Sequence, residues 1–197
     1  MNIVFGFGPF IAFFVLMRLA SPISGLAAAL AVSLLLMLRQ WRRGEQIKLL
    51  ELGSLILFGA LVLYTLVAVP AWTVATVRLA VDAGLLAIAL VSLAVGRPFT
   101  LQYARERVPA AYWASPLFLA ANLRITATWA AAFAVMVAAD AAAEYVAVIP
   151  LWIDIAATLV ALAGALWFTQ WYPALLRRRA GVSDNPGAQS LSREERP

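Results

Sequence analysis

The 197-residue sequence has no cysteine and no histidine, and only 13% of its residues are charged. Without cysteine there is no disulfide, no thiolate nucleophile and no thiolate metal ligand. Without histidine the side chain that most often does general acid–base work is missing, and so are His-ligated zinc and haem sites. A Ser/His/Asp triad cannot be assembled. Lysine is nearly absent too, since fourteen of the fifteen basic residues are Arg. No phosphate-cradling Walker loop, dinucleotide fingerprint or metalloprotease helix occurs. The glycine-rich GFGPF at positions 6–10 opens an apolar run and follows no strand. These absences predict a protein that is not an enzyme and has no catalytic, cofactor-binding or metal residues and no cofactor.

What is present is apolar length. The chain is 64% hydrophobic, against about half in a soluble domain. Apolar runs of about twenty residues, enough to cross a bilayer core as a helix, recur along it. The expected fold class is all-α, a polytopic transmembrane bundle of six helices with both termini in the cytoplasm. Residues 1–179 form the membrane domain, and residues 180–197, rich in Gly, Ser, Asp, Glu and Pro, form a polar disordered tail. The spans are predicted at Ile3–Leu19, Ile23–Leu38, Leu49–Val69, Thr73–Val95, Leu117–Ala139 and Tyr145–Phe168. A five-span count would require one of these segments to re-enter or lie flat. No cleavable signal is expected, because Met1-Asn2-Ile3 lacks a basic region.

Charge placement sets the orientation. The net charge of +5 sits between apolar runs, which points to membrane orientation and not to nucleic acid. The 39–48 loop holds four basic residues, the 96–116 loop three, and Arg177–Arg179 three more; the 70–72 and 140–144 turns hold none. The basic loops belong on the cytoplasmic side. Ser21, Gly25, Ala29 and Ser33 recur every four residues, a small-residue stripe that lets a second helix approach closely. Trp167, Trp171 and Tyr172 read as an interfacial aromatic belt.

Two groups of residues are candidates for function. Charges inside spans are costly and face a bundle interior or a partner. Arg78, Asp82, Arg124 and Asp154 qualify, with Asn122 beside Arg124. Arg78 and Asp82, four apart, share a helix face and can pair, while Arg124 can snorkel towards the cytoplasmic interface. Together they suggest a polar site at mid-membrane, in which Asp82 and Asp154 bind a proton or cation, or a set of structural ion pairs. Glu51, one turn into the third span, is expected to reach the interface or Lys48. The second group is the Gly96–Pro116 loop. Arg97, Arg105 and Arg107 can meet anionic headgroups, each worth about 1 kcal/mol; Phe99 and Tyr103, four apart, share one face of a short interfacial helix, and Trp113 with Pro109 and Pro116 marks re-entry into the bilayer. This loop is a candidate surface for lipid or a cytoplasmic partner, or simply an orienting anchor.

Several segments, in order, resemble the intracellular septation protein A family of bacterial inner-membrane proteins. They are Gly8-Pro9-Phe10-Ile11 with Phe13-Phe14 and Arg18, a small-residue second span, the basic 39–48 loop, Arg97-Pro98-Phe99, Pro109, Trp113, Asn122 and Trp129-Ala130-Ala131-Ala132-Phe133. The resemblance covers about Phe5 to Phe168, leaves Arg177–Arg179 and the tail outside it, and is shared with a sister family of multi-span membrane proteins carrying a similar Arg-Pro loop. It implies a non-enzymatic bacterial inner-membrane protein that supports envelope integrity and septation through helix and loop contacts. The partners it implies are cell-division or envelope proteins; membrane lipids and a second copy of the chain are expected beside them. The alternative from the residues alone is a small transporter or a lipid- or ion-binding membrane protein built on the intramembrane charges.

Overall fold

The computed structural model describes residues 6–68, 72–146 and 151–179. The predicted tail and the 70–71 part of the short third-to-fourth turn lie outside them. Seven α-helices account for most of the described chain: α1 Gly8–Leu19, α2 Pro22–Arg43, α3 Leu49–Ala68, α4 Val74–Ala94, α5 Phe99–Arg105, α6 Pro116–Tyr145 and α7 Leu151–Arg179. Five of them (α2, α3, α4, α6 and α7) are long and apolar enough to cross a membrane, and the chain is a multi-pass helical membrane protein. α1 has 12 described residues, about 18 Å at 1.5 Å per residue.

The helices begin and end where local chemistry directs. Pro9 and Pro22 lie in the first turns of α1 and α2, where the missing N–H costs nothing. Ser21 caps α2 by accepting from the Ser24 amide, and Thr73 caps α4 by accepting from the Thr76 amide. α2 and α4 end on Gly44 and Gly96, both at positive φ. Beyond each, the next amide donates back to a carbonyl of the last turn, Glu45 to Gln40 and Arg97 to Ser92, which satisfies carbonyls that would otherwise be orphaned.

Packing runs α1 against α2, α2 against α3, α4 against α6 and α6 against α7. The small-residue stripe on α2 faces α1. A Cβ on Gly25 would stand 2.8 Å from the Phe13 carbonyl oxygen, so only glycine permits this approach. Phe10, Phe13, Phe58, Trp129 and Phe133 fill the centre. All basic loops lie at one end of the bundle, called here the basic end. Gly6 packs against Leu50 and Tyr103 at that end, while Met17 and Arg18 border Val74 near the other. The segment 6–18 therefore runs from the level of Leu50 and Tyr103 towards that of Val74.

Three boundaries differ from expectation. α2 continues through Arg39–Arg43, so the basic loop begins as helix. α6 does not stop at Ala139 but runs on through residues 140–144 to Tyr145, so the expected acidic turn is helical. Asp140 is almost fully buried, and Glu144 accepts hydrogen bonds from the Thr73 and Thr76 hydroxyls at 3.2 and 2.9 Å. These partners on α4 replace the solvent that a turn would have needed. α7 starts at Leu151 and extends past Phe168 to Arg179 with Pro173 inside it.

Candidate functional site

α4, α6 and α7 bring four charged side chains together near the end opposite the basic loops. α4 presents Val77, Arg78, Val81, Asp82, Leu85, Ala89 and Ser92 to the interior. This 3–4 spacing is the signature of one buried helix face. α6 presents Asn122, Thr126, Trp129, Phe133, Met136 and Asp140 in the same rhythm, and all six are buried. The two stripes face each other, and the first turn of α7 adds Asp154.

Arg78 is the hub. Its Nη1 donates to Asp154 Oδ2 at 2.5 Å, and its Nη2 donates to Asp154 Oδ1 and to Thr158 Oγ1, both at 3.2 Å. Nη2 also stands 3.0 Å from Asp140 Oδ1. That contact is an ion pair without hydrogen-bond alignment, because both Asp140 oxygens lack a hydrogen-bond partner. Asp82 is 0% exposed, and its carboxyl faces that of Asp140, with no other side chain among the described residues donating to either oxygen. Three buried carboxyl groups therefore surround one guanidinium.

The expected pairing of Arg78 with Asp82 on one helix face is not what forms. Side chains on a helix lean towards its N-terminus, so the long Arg78 reaches outward to α6 and α7. The short Asp82, one turn deeper, meets Asp140. Asp154 stands about 5 Å, and Asp82 about 12 Å, from the start of its helix by the helical rise. Asp140, which makes the cluster, was missed because residues 140–144 read as a turn.

Arg124 and Asn122 lie elsewhere. Arg124 is sixteen residues before Asp140 on α6, about 24 Å along the axis. It is exposed, donates to the Tyr172 hydroxyl and lies over that ring. Tyr172 is accordingly buried and stacked on Phe168, while Trp167 and Trp171 stack on each other outside; the belt keeps its tryptophans and loses its tyrosine. Asn122 donates to the Phe118 carbonyl, and its own carbonyl accepts from Thr100, so it joins α5 to α6.

The Gly96–Pro116 loop divides in two. Arg97, Arg105 and Arg107 are exposed, and Arg105 covers the Trp113 ring, whose Nε1 donates to the Val108 carbonyl. Phe99 and Tyr103, expected at the headgroup level, are instead in the core, because α5 packs over the α2–α3 connection and not into lipid. Gln102 Oε1 accepts from the Leu49 amide at 2.6 Å. Lys48 lies 2.7 Å from Glu106 and over the Tyr103 ring. Burial, with the nearby Glu51 and Glu106 carboxylates adding to it, pushes the Tyr103 hydroxyl well above its ordinary range, so it stays neutral. Partial burial works against ionisation of Glu106, but the cations in contact with it, Lys48 among them, outweigh that and hold it below its ordinary value. Glu51 is buried beside this group, near Lys48 as one of its two expectations had it.

Among the described residues no group of acidic side chains converges as metal ligands would. Set against protein-family models, curated proteins and solved structures, the chain matches none of them.

Proposed function

We propose that this protein is a small, non-enzymatic transport protein of a bacterial inner (cytoplasmic) membrane, crossing it six times with both termini inside, and that it binds protons at the Arg78 cluster. The observation that carries the reading is the charge imbalance: three buried carboxyl groups, one guanidinium, and an Asp82 carboxyl set against that of Asp140. An uncompensated carboxylate in a low-dielectric interior costs so much that the group takes up a counter-charge instead. Two protons, on Asp82 and Asp140, neutralise the cluster. Arg78, bound to Asp154 and Asp140 at once, can change partner as those protons leave. Ionisable groups in this setting mark proton and ion pathways. The sixth crossing is supported by the 6–18 segment, which runs from the level of Leu50 and Tyr103 towards that of Val74.

The test is proton movement into liposomes holding the purified protein, driven by a potassium-diffusion potential and read with a trapped pH dye. The expected result is a flux above that of empty liposomes, lost in Asp82→Asn at equal abundance. A wild-type flux no greater than that of empty liposomes rules the transport reading out.

A second reading, an envelope or septation factor of the kind the sequence resembles, is favoured by the exposure of Arg97, Arg105, Tyr112 and Trp113 together at the basic end. It expects neutralising Arg97, Arg105 and Arg107 to disturb division more than Asp82→Asn or Asp154→Asn does. The reverse ranking rejects it.

A further inference from the structure

Beside the Arg78 cluster lies a cavity of about 300 Å³ between α1, α4 and α7. That is at the small end of ligand sites. Its apolar wall includes Phe14, Leu159 and Leu162, and its polar atoms come from Arg18, Arg78 and Thr158. Every charged side chain on the wall is an arginine. Arg18 has no carboxylate within ion-pair distance among the described residues, and Arg78 keeps a buried Nε without a partner. Leu159 on its wall is exposed, as are Val15, Leu19 and Val160 on α1 and α7, and in a multi-pass protein such residues meet lipid tails.

We infer that this cavity binds the anionic head of a single-chain amphiphile, a carboxylate or phosphate on an alkyl chain, entering sideways from the bilayer. Arg18 would hold the head, and Arg78, whose Nη atoms are already given to Asp154 and Thr158, would lend its charge from behind the wall. Planar guanidinium groups suit both carboxylate and phosphate oxygens. The chain would leave across Leu159 and Leu162 into lipid. The volume admits a head and the start of one chain, and does not fit a two-chain lipid whole. The inference rests on the membrane-crossing reading above but not on proton transport, because Arg18 belongs to the cavity and not to the carboxylate cluster.

The test is calorimetric titration of the full chain in phosphatidylcholine nanodiscs with dodecyl phosphate. Inorganic phosphate and dodecyltrimethylammonium are titrated in parallel. The expected result is saturable binding of one dodecyl phosphate, weakened about tenfold or more in Arg18→Gln, as loss of a charge-assisted hydrogen bond requires. Leu159→Trp, which fills the mouth and leaves both arginines, should weaken it as well. Neither control should saturate. Unchanged binding in Arg18→Gln, equal binding of the ammonium amphiphile, or uptake that never saturates would each overturn the inference. A protein that binds dodecyl phosphate through Arg18 yet moves no protons would retain this site and lose only the transport reading.

Discussion

Replacing Arg78 with Leu should be among the most damaging single changes in the protein. The guanidinium is 2.5 Å from Asp154 and 3.0 Å from Asp140, and the Asp154 and Asp140 side chains are 2% and 0% exposed. At about 3 Å and an effective dielectric of about 20, the Asp154 contact is worth about 5 kcal/mol of Coulomb attraction, and the contact with a protonated Asp140 is worth less. Desolvation offsets most of that, but it is not recovered when only one partner is removed. The expected loss is about 3–5 kcal/mol, the usual cost of leaving a buried charge unpaired. Asp82→Asn should be mild. Its carboxyl meets that of Asp140, and an amide there can still donate to and accept from that group, so the change should cost less than about 1 kcal/mol. The double variant Arg78→Leu/Asp154→Leu should recover much of the single loss, since an apolar pair can replace a buried ion pair at little cost. The assay is reversible unfolding in mixed micelles, followed by tryptophan fluorescence. An Arg78→Leu loss under about 1 kcal/mol, or an Asp82→Asn loss exceeding it, would refute the reasoning, because either would mean that water already reaches these carboxylates.

Three further outcomes follow from the packing and the basic end. Gly25→Ala places a methyl against the Phe13 backbone oxygen, which no rotamer can relieve, and should cost about 1–3 kcal/mol. Gly164→Ala, with nothing within 4 Å of the new methyl, should be neutral or gain up to about 1 kcal/mol through helix propensity; micellar unfolding midpoints compare the two. Lys48→Met should destabilise more than Arg43→Met in the same assay. Lys48 is buried against Glu106 at 2.7 Å, whereas Arg43 and Glu45 are exposed and 3.8 Å apart, a surface pair worth about 0–1 kcal/mol. Because Glu106 is held below its ordinary 4.5, its contribution is present above that pH and is lost as the pH falls through and below it. The melting temperature should therefore drop on acidification below about pH 4.5 in the wild type, and less steeply in Glu106→Gln.

Much of the architecture is legible in the sequence, because span length and basic-loop asymmetry are one-dimensional properties. The small-residue stripe of α2 is legible for the same reason. What was not legible depends on continuity across a polar patch. Asp140 to Glu144 interrupts the apolar run, and charge clusters usually mean a turn. Yet Asn122, Thr126, Trp129, Phe133, Met136 and Asp140 keep one 3–4 spacing, and following that rhythm past Ala139 would have placed Asp140 on the buried face. Arg78 and Asp82 were recognised as intramembrane charges but assigned to each other, since spacing along one helix says nothing about which neighbours pack against it. Phe99 and Tyr103 were read as lipid-facing because an interfacial helix and a helix folded under a loop share the same pattern. Only the docking of α5 on Leu49 and Lys48 distinguishes them.

The claim that the Arg78 cluster holds protons is open to direct observation. Infrared difference spectroscopy of the membrane-reconstituted protein at neutral pH can detect the carbonyl stretch of a carboxylic acid that has not ionised. The account predicts such a band in the wild type, diminished in both Asp82→Asn and Asp140→Asn and retained in Asp154→Asn, which removes the bidentate partner of Arg78 and neither of the two facing carboxyls. A wild-type spectrum without this band, or one that neither Asp82→Asn nor Asp140→Asn alters, would contradict it.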